Sequence, residues 1–555
     1  MGSKKTLIEV IKNQDVFSHW ARFVFVFAFL FFLSACYSTP PQIARDENAS
    51  PPAESGFSVA PPNINLAKPL EVSKRAEDVA LCQKINQTID ESEFANARWG
   101  VIAISLKDVR VACARDAQKL FNPASLQKIL TSLVALDTLG AEFRWKTSLY
   151  SAKQIEPDGT LNGDLILYGQ GAPDFDTQAL ENLVNQLQAK GLKRVKGNLV
   201  GDESFFKGEN IGDGWVWNEL QWYYGAEASA LTFNENQAFI NVENGVARSS
   251  TDYLQVSLGT TAPPKKGEPE SSGIARGLAD NNFHVWGSAK NWGTRVAVHN
   301  PKLWAARSLK EALEKRGIAV EGETKSVDWK AENKSDAVNL VELAALESQT
   351  LGEIVQKMNK RSINLYAELI LRTIGKRFGE SAPDDNAKLQ EVRGDDSAGA
   401  AVIKKWLHER HVATEEIEIH DGSGLSRLDF VTPEAFGRAL IYAAQSPFAE
   451  IFKNSLPVAA TDGTLGGRLA KAKGKILAKT GSVTFVNSLA GYVQNSTDEI
   501  FAFAIICNNE TRKADSTKTI DEVALIFAGD GEEEAEKGTN KNKQFKETNK
   551  SPFSP

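Results

Sequence analysis

With 555 residues, 42% of them hydrophobic, and a formal net charge of −7, the chain can bury several cores and form about three or four domains. The acidic balance and the lack of any Lys/Arg-rich block argue against a nucleic-acid partner, which needs concentrated basic surface.

In chain order, Lys4, Lys5, Lys12 and Arg22 precede an apolar run from Phe23 to Cys36 that is short for a bilayer-spanning helix. Residues 1–36 are therefore expected to be a signal peptide. Its end, Leu33-Ser34-Ala35-Cys36, resembles a bacterial lipobox, which implies a lipid on Cys36, an exported protein of the cell envelope or periplasm, and a membrane as partner through that anchor. The long n-region, with Glu9 and Asp15, departs from the pattern. Residues 37–75 are proline-rich and low in large apolar side chains, the composition of a linker. Residues 531–555 are similarly polar and are expected to form a disordered tail.

Besides Cys36, the chain holds Cys82, Cys113 and Cys507, and three thiols cannot all pair. Cys82 lies in a predicted helix and Cys113 in a predicted strand soon after, so a bridge between them is expected, with Cys507 a buried thiol.

The stretch "NPASLQKILTSLVALDTLG" (122–140) places Ser125 at the start of an amphipathic helix, with Lys128 on the next turn of the same face. A Ser-x-x-Lys pattern is weak alone: it recurs at Ser204/Lys207, and Ser125 could be a plain helix cap. Further on, "RSINLYAELIL" presents Ser362 and Asn364 between two helical patterns, and "KILAKTGSVTF" presents Lys479, Thr480, Gly481 and Ser482 in a predicted strand. Ser-x-x-Lys, Ser-x-Asn and Lys-Thr-Gly, in this order, are jointly the motif set of penicillin-binding proteins and class A β-lactamases.

With "DLILYGQGAPDF", "GNLVGDESFF", "HDGSGLSRLDFVTP" and "SLPVAATDGTLGGRL", the chain resembles the class C low-molecular-mass penicillin-binding proteins over about residues 76–528. The resemblance implies an α/β (α+β) fold: a serine peptidase domain of penicillin-binding protein/β-lactamase type, an antiparallel sheet flanked by helices, carrying a large β-rich insert. The peptidase domain would comprise 76–145 and 338–530, and the insert 146–337.

It also implies a D-Ala-D-Ala carboxypeptidase/endopeptidase acting on peptidoglycan stem peptides, acylated by β-lactams, with no cofactor and no metal. Ser125 would be the nucleophile, Lys128 its base, Ser362 a proton relay and Asn364 an orienting amide. Lys479 and Thr480 would take the terminal carboxylate, and the N–H groups of Ser125 and Ser482 the oxyanion. Gly481 would let the peptide approach the strand edge. Ile363 stands where the family carries Asp or Asn, which points to altered specificity or rate. The alternatives are a weak or inactive peptidoglycan-binding envelope protein and a β-lactamase, for which no deacylating carboxylate is identified. "LHERH" lacks zincin spacing, "GQGAPD" lacks a dinucleotide fingerprint, and "DGSGLS" is not a nucleophile elbow. Asp462 and Arg468 are expected to be structural.

Overall fold

Apolar runs that are buried along their whole length locate the main sheet. Strand Arg98–Ser105 is buried at every position after the first, as befits a central strand covered on both faces. Its side chains alternate between two cores: Val101 and Ala103 meet Phe503 and Ile505 on one side, while Ile102 and Ile104 meet Ala504 and Ile506 on the other. The computed structural model describes residues 64–259, 272–287, 291–331, 340–379, 394–511 and 516–529, all within the unit Phe57–Pro555. The expected signal segment, Cys36 and the tail from 531 lie outside the described residues.

The sheet has five antiparallel strands in the spatial order Ile476–Val483, Val486–Gln494, Ile500–Asn508, Arg98–Ser105, Val111–Arg115. One face is covered by the helices Ala76–Asp90 and Thr517–Phe527, whose Ile85, Ile89, Ile520, Val523 and Phe527 join that core. Cys82 and Cys113 are joined by a disulfide with their Cα atoms 4.9 Å apart, and Cys507 is a buried free thiol. On the same side Arg110 bonds Asp78 at 2.8 Å and Glu499 at 2.5 and 2.9 Å, tying helix to sheet. The other face carries the helix Pro433–Gln445 and the turn Ala124–Leu126, which opens the helix Gln127–Thr138.

That last helix is buried from Gln127 through Leu136, because Leu351–Arg361, Asn364–Phe378, Asp395–Glu409 and Pro433–Gln445 all pack against it. A helix buried all round must satisfy its polar side chains internally. Thr131 donates to the Gly422 carbonyl at 2.7 Å, and Ser132 accepts from the Asn359 amide at 3.1 Å.

Residues 146–347 build separate sheets. The largest runs, in spatial order, Thr324–Val327, Leu199–Asp202, Leu165–Gly169, Lys146–Ser151, Val341–Glu347. Two expectations need correction here. The boundary drawn at 337/338 falls before Val341–Glu347, which pairs antiparallel with Lys146–Ser151 and so belongs to the insert's sheet. The insert is β-rich, as expected, and helices Thr177–Ala189 and Pro301–Lys315 also pack within it; Leu180, Leu183, Val184 and Leu187 are buried at helical spacing. The linker drawn to residue 75 is seated on the body from residue 64. Leu66 is buried and its carbonyl accepts from Arg438 at 2.6 Å, while Ser73 N–H donates to the Val111 carbonyl at 2.9 Å.

Candidate active site

The turn into the Ser125 helix is tightly held. Asn122 Nδ2 donates to the Ser426 carbonyl at 3.0 Å, and Ser488 Oγ donates to the Pro123 carbonyl at 2.8 Å. Ala124 takes a left-handed φ of +49°, a strained conformation for a non-glycine residue. Its carbonyl lies so close to Gly424 that a Cβ there would meet it at 1.8 Å. The glycine of "DGSGLS" thus lets that loop close over the turn.

Lys128 sits beneath Ser125, fully buried. Its Nζ lies 2.9 Å from Ser125 Oγ, 2.7 Å from Asn364 Oδ1 and 2.7 Å from the Ser423 carbonyl. Asn364 Nδ2 donates to the Tyr224 carbonyl at 2.9 Å, which orients the amide with its oxygen toward the lysine. Two of the three partners of Nζ can therefore only accept, and the third is a hydroxyl that can donate. The same arrangement accommodates a neutral amine, with its two N–H groups on the carbonyl oxygens and its lone pair toward the Ser125 hydroxyl. Burial pushes the Lys128 amine down to about 7, although Asp421, Glu368 and Asp429 pull it upward.

Those carboxylates hold the loop that positions the lysine. Asp421 accepts from the N–H groups of Ser423 (3.0 Å), Gly424 (2.6 Å) and Ser426 (2.8 Å) and from the Trp215 indole (2.8 Å). Glu368 accepts from Gly422 N–H at 3.0 Å and from Arg372 at 3.0 Å. Burial, with the Asp421 charge nearby, lifts Glu368 to about 7. The motif search missed Glu368; an acidic residue one turn beyond Asn364 in an otherwise apolar helix face was the available signal.

Ser362 ends the helix Leu351–Arg361 with a left-handed φ of +57°. Lys479 Nζ donates to its hydroxyl at 2.8 Å and to the Thr480 carbonyl at 2.6 Å. Burial first, and the Lys128 charge second, push the Lys479 ammonium well below its ordinary range. Ile363 turns partly toward the core of Leu365, Leu369 and Phe206, so its apolar side chain packs as well as bordering the cleft.

Gly481 has a role beside the one expected of it. A Cβ at this position would come within 2.2 Å of Ser488 Oγ, 3.0 Å of the Pro123 carbonyl and 3.0 Å of Ser125 N. Its absence lets the edge strand lie against the nucleophile's own turn. Thr480 Oγ1 donates to Thr464 Oγ1 at 2.8 Å, which brings in the "ATDGTLGG" loop; Thr464 was not singled out from the sequence. In that loop Asp462 pairs with Lys360 at 2.6 Å and Arg468 with Asp521 at 2.7 Å, both structural contacts. The other Ser-x-x-Lys pair is not a site: Ser204 and Lys207 lie in a turn, their N–H groups donating to Asp202 and Asp395.

Ser125, Ser362, Asn364, Thr464, Thr480 and Ser482 line one cleft of about 590 Å3. On one flank Arg427 bonds Glu219 at 2.9 Å and the Thr484 carbonyl at 3.0 Å.

A serine backed by a buried lysine, beside a sheet edge that carries a second lysine, defines a serine hydrolase of the penicillin-binding protein/β-lactamase-like fold. The solved structure of penicillin binding protein 4 (dacB) from Haemophilus influenzae superposes on it with a TM-score of 0.68 at 24% identity, covering 80% of this chain and 98% of that one. The chain belongs to the D-Ala-D-Ala carboxypeptidase 3 (S13) family, whose model matches residues 81–528. It is 28% identical over 475 residues to a D-alanyl-D-alanine carboxypeptidase of Actinomadura sp. (strain R39), covering 78% of this chain and 82% of the relative. It is 26% identical over 430 residues to the D-alanyl-D-alanine carboxypeptidase DacB of Haemophilus influenzae, covering 74% and 85%. The protein is accordingly a serine-type D-alanyl-D-alanine peptidase of the penicillin-binding class.

Proposed function

We propose that Ser125 forms the acyl-enzyme and that Lys128 is its general base. The observation that carries this reading is the Lys128 amine, 2.9 Å from Ser125 Oγ with its other two contacts on fixed acceptors. Ser125 attacks the carbonyl between the two terminal D-alanines while Lys128 takes its proton. The oxyanion forms against the N–H groups of Ser125 and Ser482. The amide C–N bond then breaks, and a proton reaches the leaving amine from Lys128 through Ser362. Water hydrolyses the ester and restores Ser125.

Lys479, Thr480 and Thr464 receive the substrate's terminal carboxylate. A carboxylate beside Lys479 favours its charged form, so binding of substrate, or of a β-lactam carboxylate, turns Lys479 into the cation the site needs. A purely binding protein has no use for the Ser125–Lys128 contact. For a β-lactamase the acyl-enzyme must be hydrolysed quickly, and among the described residues no carboxylate hydrogen-bonds Ser125.

Incubation with benzylpenicillin should add the mass of the whole antibiotic, mapped by digestion to the peptide containing Ser125, and incubation with a D-Ala-D-Ala pentapeptide should release D-alanine. No adduct, or one on another residue, refutes the assignment.

We also infer that the chain is exported and held to a membrane by a lipid on Cys36. Support comes from Leu33-Ser34-Ala35-Cys36 and from the Cys82–Cys113 disulfide, a bond that persists in oxidising compartments. Labelled palmitate should enter the full-length protein in bacteria and be lost in Cys36→Ala; equal labelling of both would exclude this anchor.

A further inference from the structure

Three carboxyl groups near Lys128, those of Glu368, Asp421 and Asp429, are wholly buried, and the chemistry above assigns them no proton. Two have their donors. Asp421 takes the N–H groups of Ser423, Gly424, Ser426 and the Trp215 indole, and Glu368 takes Gly422 N–H and Arg372. Asp429 is different. Its Oδ1 accepts from His420 N–H at 2.7 Å, but its Oδ2, equally buried, meets no donor.

An ionised carboxylate can only accept, and a charged oxygen left bare in a protein interior is costly. A protonated carboxyl brings its own donor, and here an acceptor is in reach. The side chains of Asp429 and Asp421 lie in hydrogen-bonding contact, which two carboxylates cannot satisfy without a proton between them. The neighbours decide which residue holds it. Four N–H groups stabilise Asp421 as the anion, whereas Asp429 has one.

Nearby charges point the same way. Burial first, then the Asp421 charge, with Glu368 adding to it, push the Asp429 carboxyl well above its ordinary range. The cation of this cluster is engaged elsewhere: Arg372 bonds Glu368 at 3.0 Å and lies 3.8 Å from Asp396. The His420 ring lies 2.8 Å from Asp213.

The proton bears on the base. A negative charge on any of the three carboxyls favours the ammonium form of Lys128, and an ammonium cannot take the Ser125 proton. A proton on Asp429 removes one of those charges and leaves the N–H contacts of Asp421 intact. The loop then keeps the Ser423 carbonyl 2.7 Å from Nζ at a smaller charge cost to the neutral amine.

We propose that Asp429 is a positioning residue that stays protonated in the working enzyme and donates its hydrogen to Asp421, fixing the loop beside Lys128 while sparing the amine a negative charge. Its effect on rate rests on the acyl-enzyme reading above; the place of the proton does not.

Asp429→Asn is the direct probe, because an amide supplies what the protonated carboxyl supplies: an oxygen for His420 N–H and a hydrogen for Asp421. Benzylpenicillin acylation is measured against pH, and infrared difference spectra of wild type against variant are recorded in light and heavy water. Asp429→Asn should acylate within about twofold of wild type with its midpoint unmoved, and one protonated-carboxyl band that shifts in heavy water should disappear. Asp429→Leu, similar in size but unable to bond either neighbour, should acylate about tenfold more slowly through a displaced lysine. Were Asp429 ionised, Asn would remove a charge near Lys128; the midpoint would then fall by about one pH unit with no carboxyl band lost, and either result overturns the proposal. Wild-type rates in Asp429→Leu would overturn the positioning role. If the leucine variant does not fold, the asparagine variant and its spectrum still decide. Wild-type protein that forms no adduct on Ser125 would overturn the acyl-enzyme reading and the effect on the base with it, while the infrared band still reports whether Asp429 holds the proton.

Discussion

Lys128→Ala is expected to slow acylation by benzylpenicillin about 10³–10⁴-fold, the upper range for loss of a positioned general base. The reason is geometric: among the described residues no other basic side chain hydrogen-bonds Ser125, and Nζ is held 2.9 Å from its hydroxyl by contacts to Asn364 and Ser423. The pH dependence carries the same signature. The Lys128 amine titrates at about 7; below that pH it is protonated and cannot accept, above it is neutral and can. The second-order acylation constant should therefore rise with pH through a midpoint near 7, falling about tenfold per unit on the acid side, and the midpoint should vanish in the variant. Alanine also leaves two acceptors, Asn364 Oδ1 and the Ser423 carbonyl, without this donor, destabilising the fold by about 1–3 kcal/mol for each, so circular dichroism must confirm a folded variant. A folded Lys128→Ala protein that acylates at the wild-type rate would remove lysine from the mechanism.

Gly481→Ala should lower both acylation and D-alanine release about 10²-fold, the effect of a displacement near 1 Å at a reacting group. The added carbon would lie 2.2 Å from Ser488 Oγ and 3.0 Å from Ser125 N, so it must push the edge strand away from the nucleophile's turn. That motion separates the N–H groups of Ser125 and Ser482, which the proposed oxyanion site requires close together. It also loosens the Ser488 bond to the Pro123 carbonyl. Stability should change much less than rate, because the remainder of the Ile476–Val483 ladder keeps its partner strand. Unchanged kinetics, with a structure in which the strand has not moved, would show that Gly481 does not set this spacing.

Much of the fold was legible wherever local pattern and tertiary environment agree. Continuous apolar runs such as "GVIAIS" and "FAFAIIC" are central strands, because a strand buried on both faces needs no polar alternation. The helix of Ser125 showed in its periodicity. The insert was read less well. Its strands are short and turn-bounded, which masked the amphipathic helix Thr177–Ala189, and Val341–Glu347 gives no local sign that its partner lies at Lys146–Ser151. Residues 64–75 looked like linker because their anchoring uses backbone carbonyls and N–H groups, which every sequence possesses.

The chemical inventory is written in the primary structure: a serine with a lysine one turn on, a Ser-x-Asn pair at a helix junction and a lysine-threonine-glycine strand, in that order. Each lies within a few residues of its motif partners, so spacing along one element expresses their geometry. What makes them act together comes from folding. The Ser423 carbonyl, the Tyr224 carbonyl and Thr464 come from segments outside the three motifs, and the first two are backbone groups that carry no residue identity. Whether a lysine is neutral depends on burial and on charges brought near by folding, and those are properties of the assembled site.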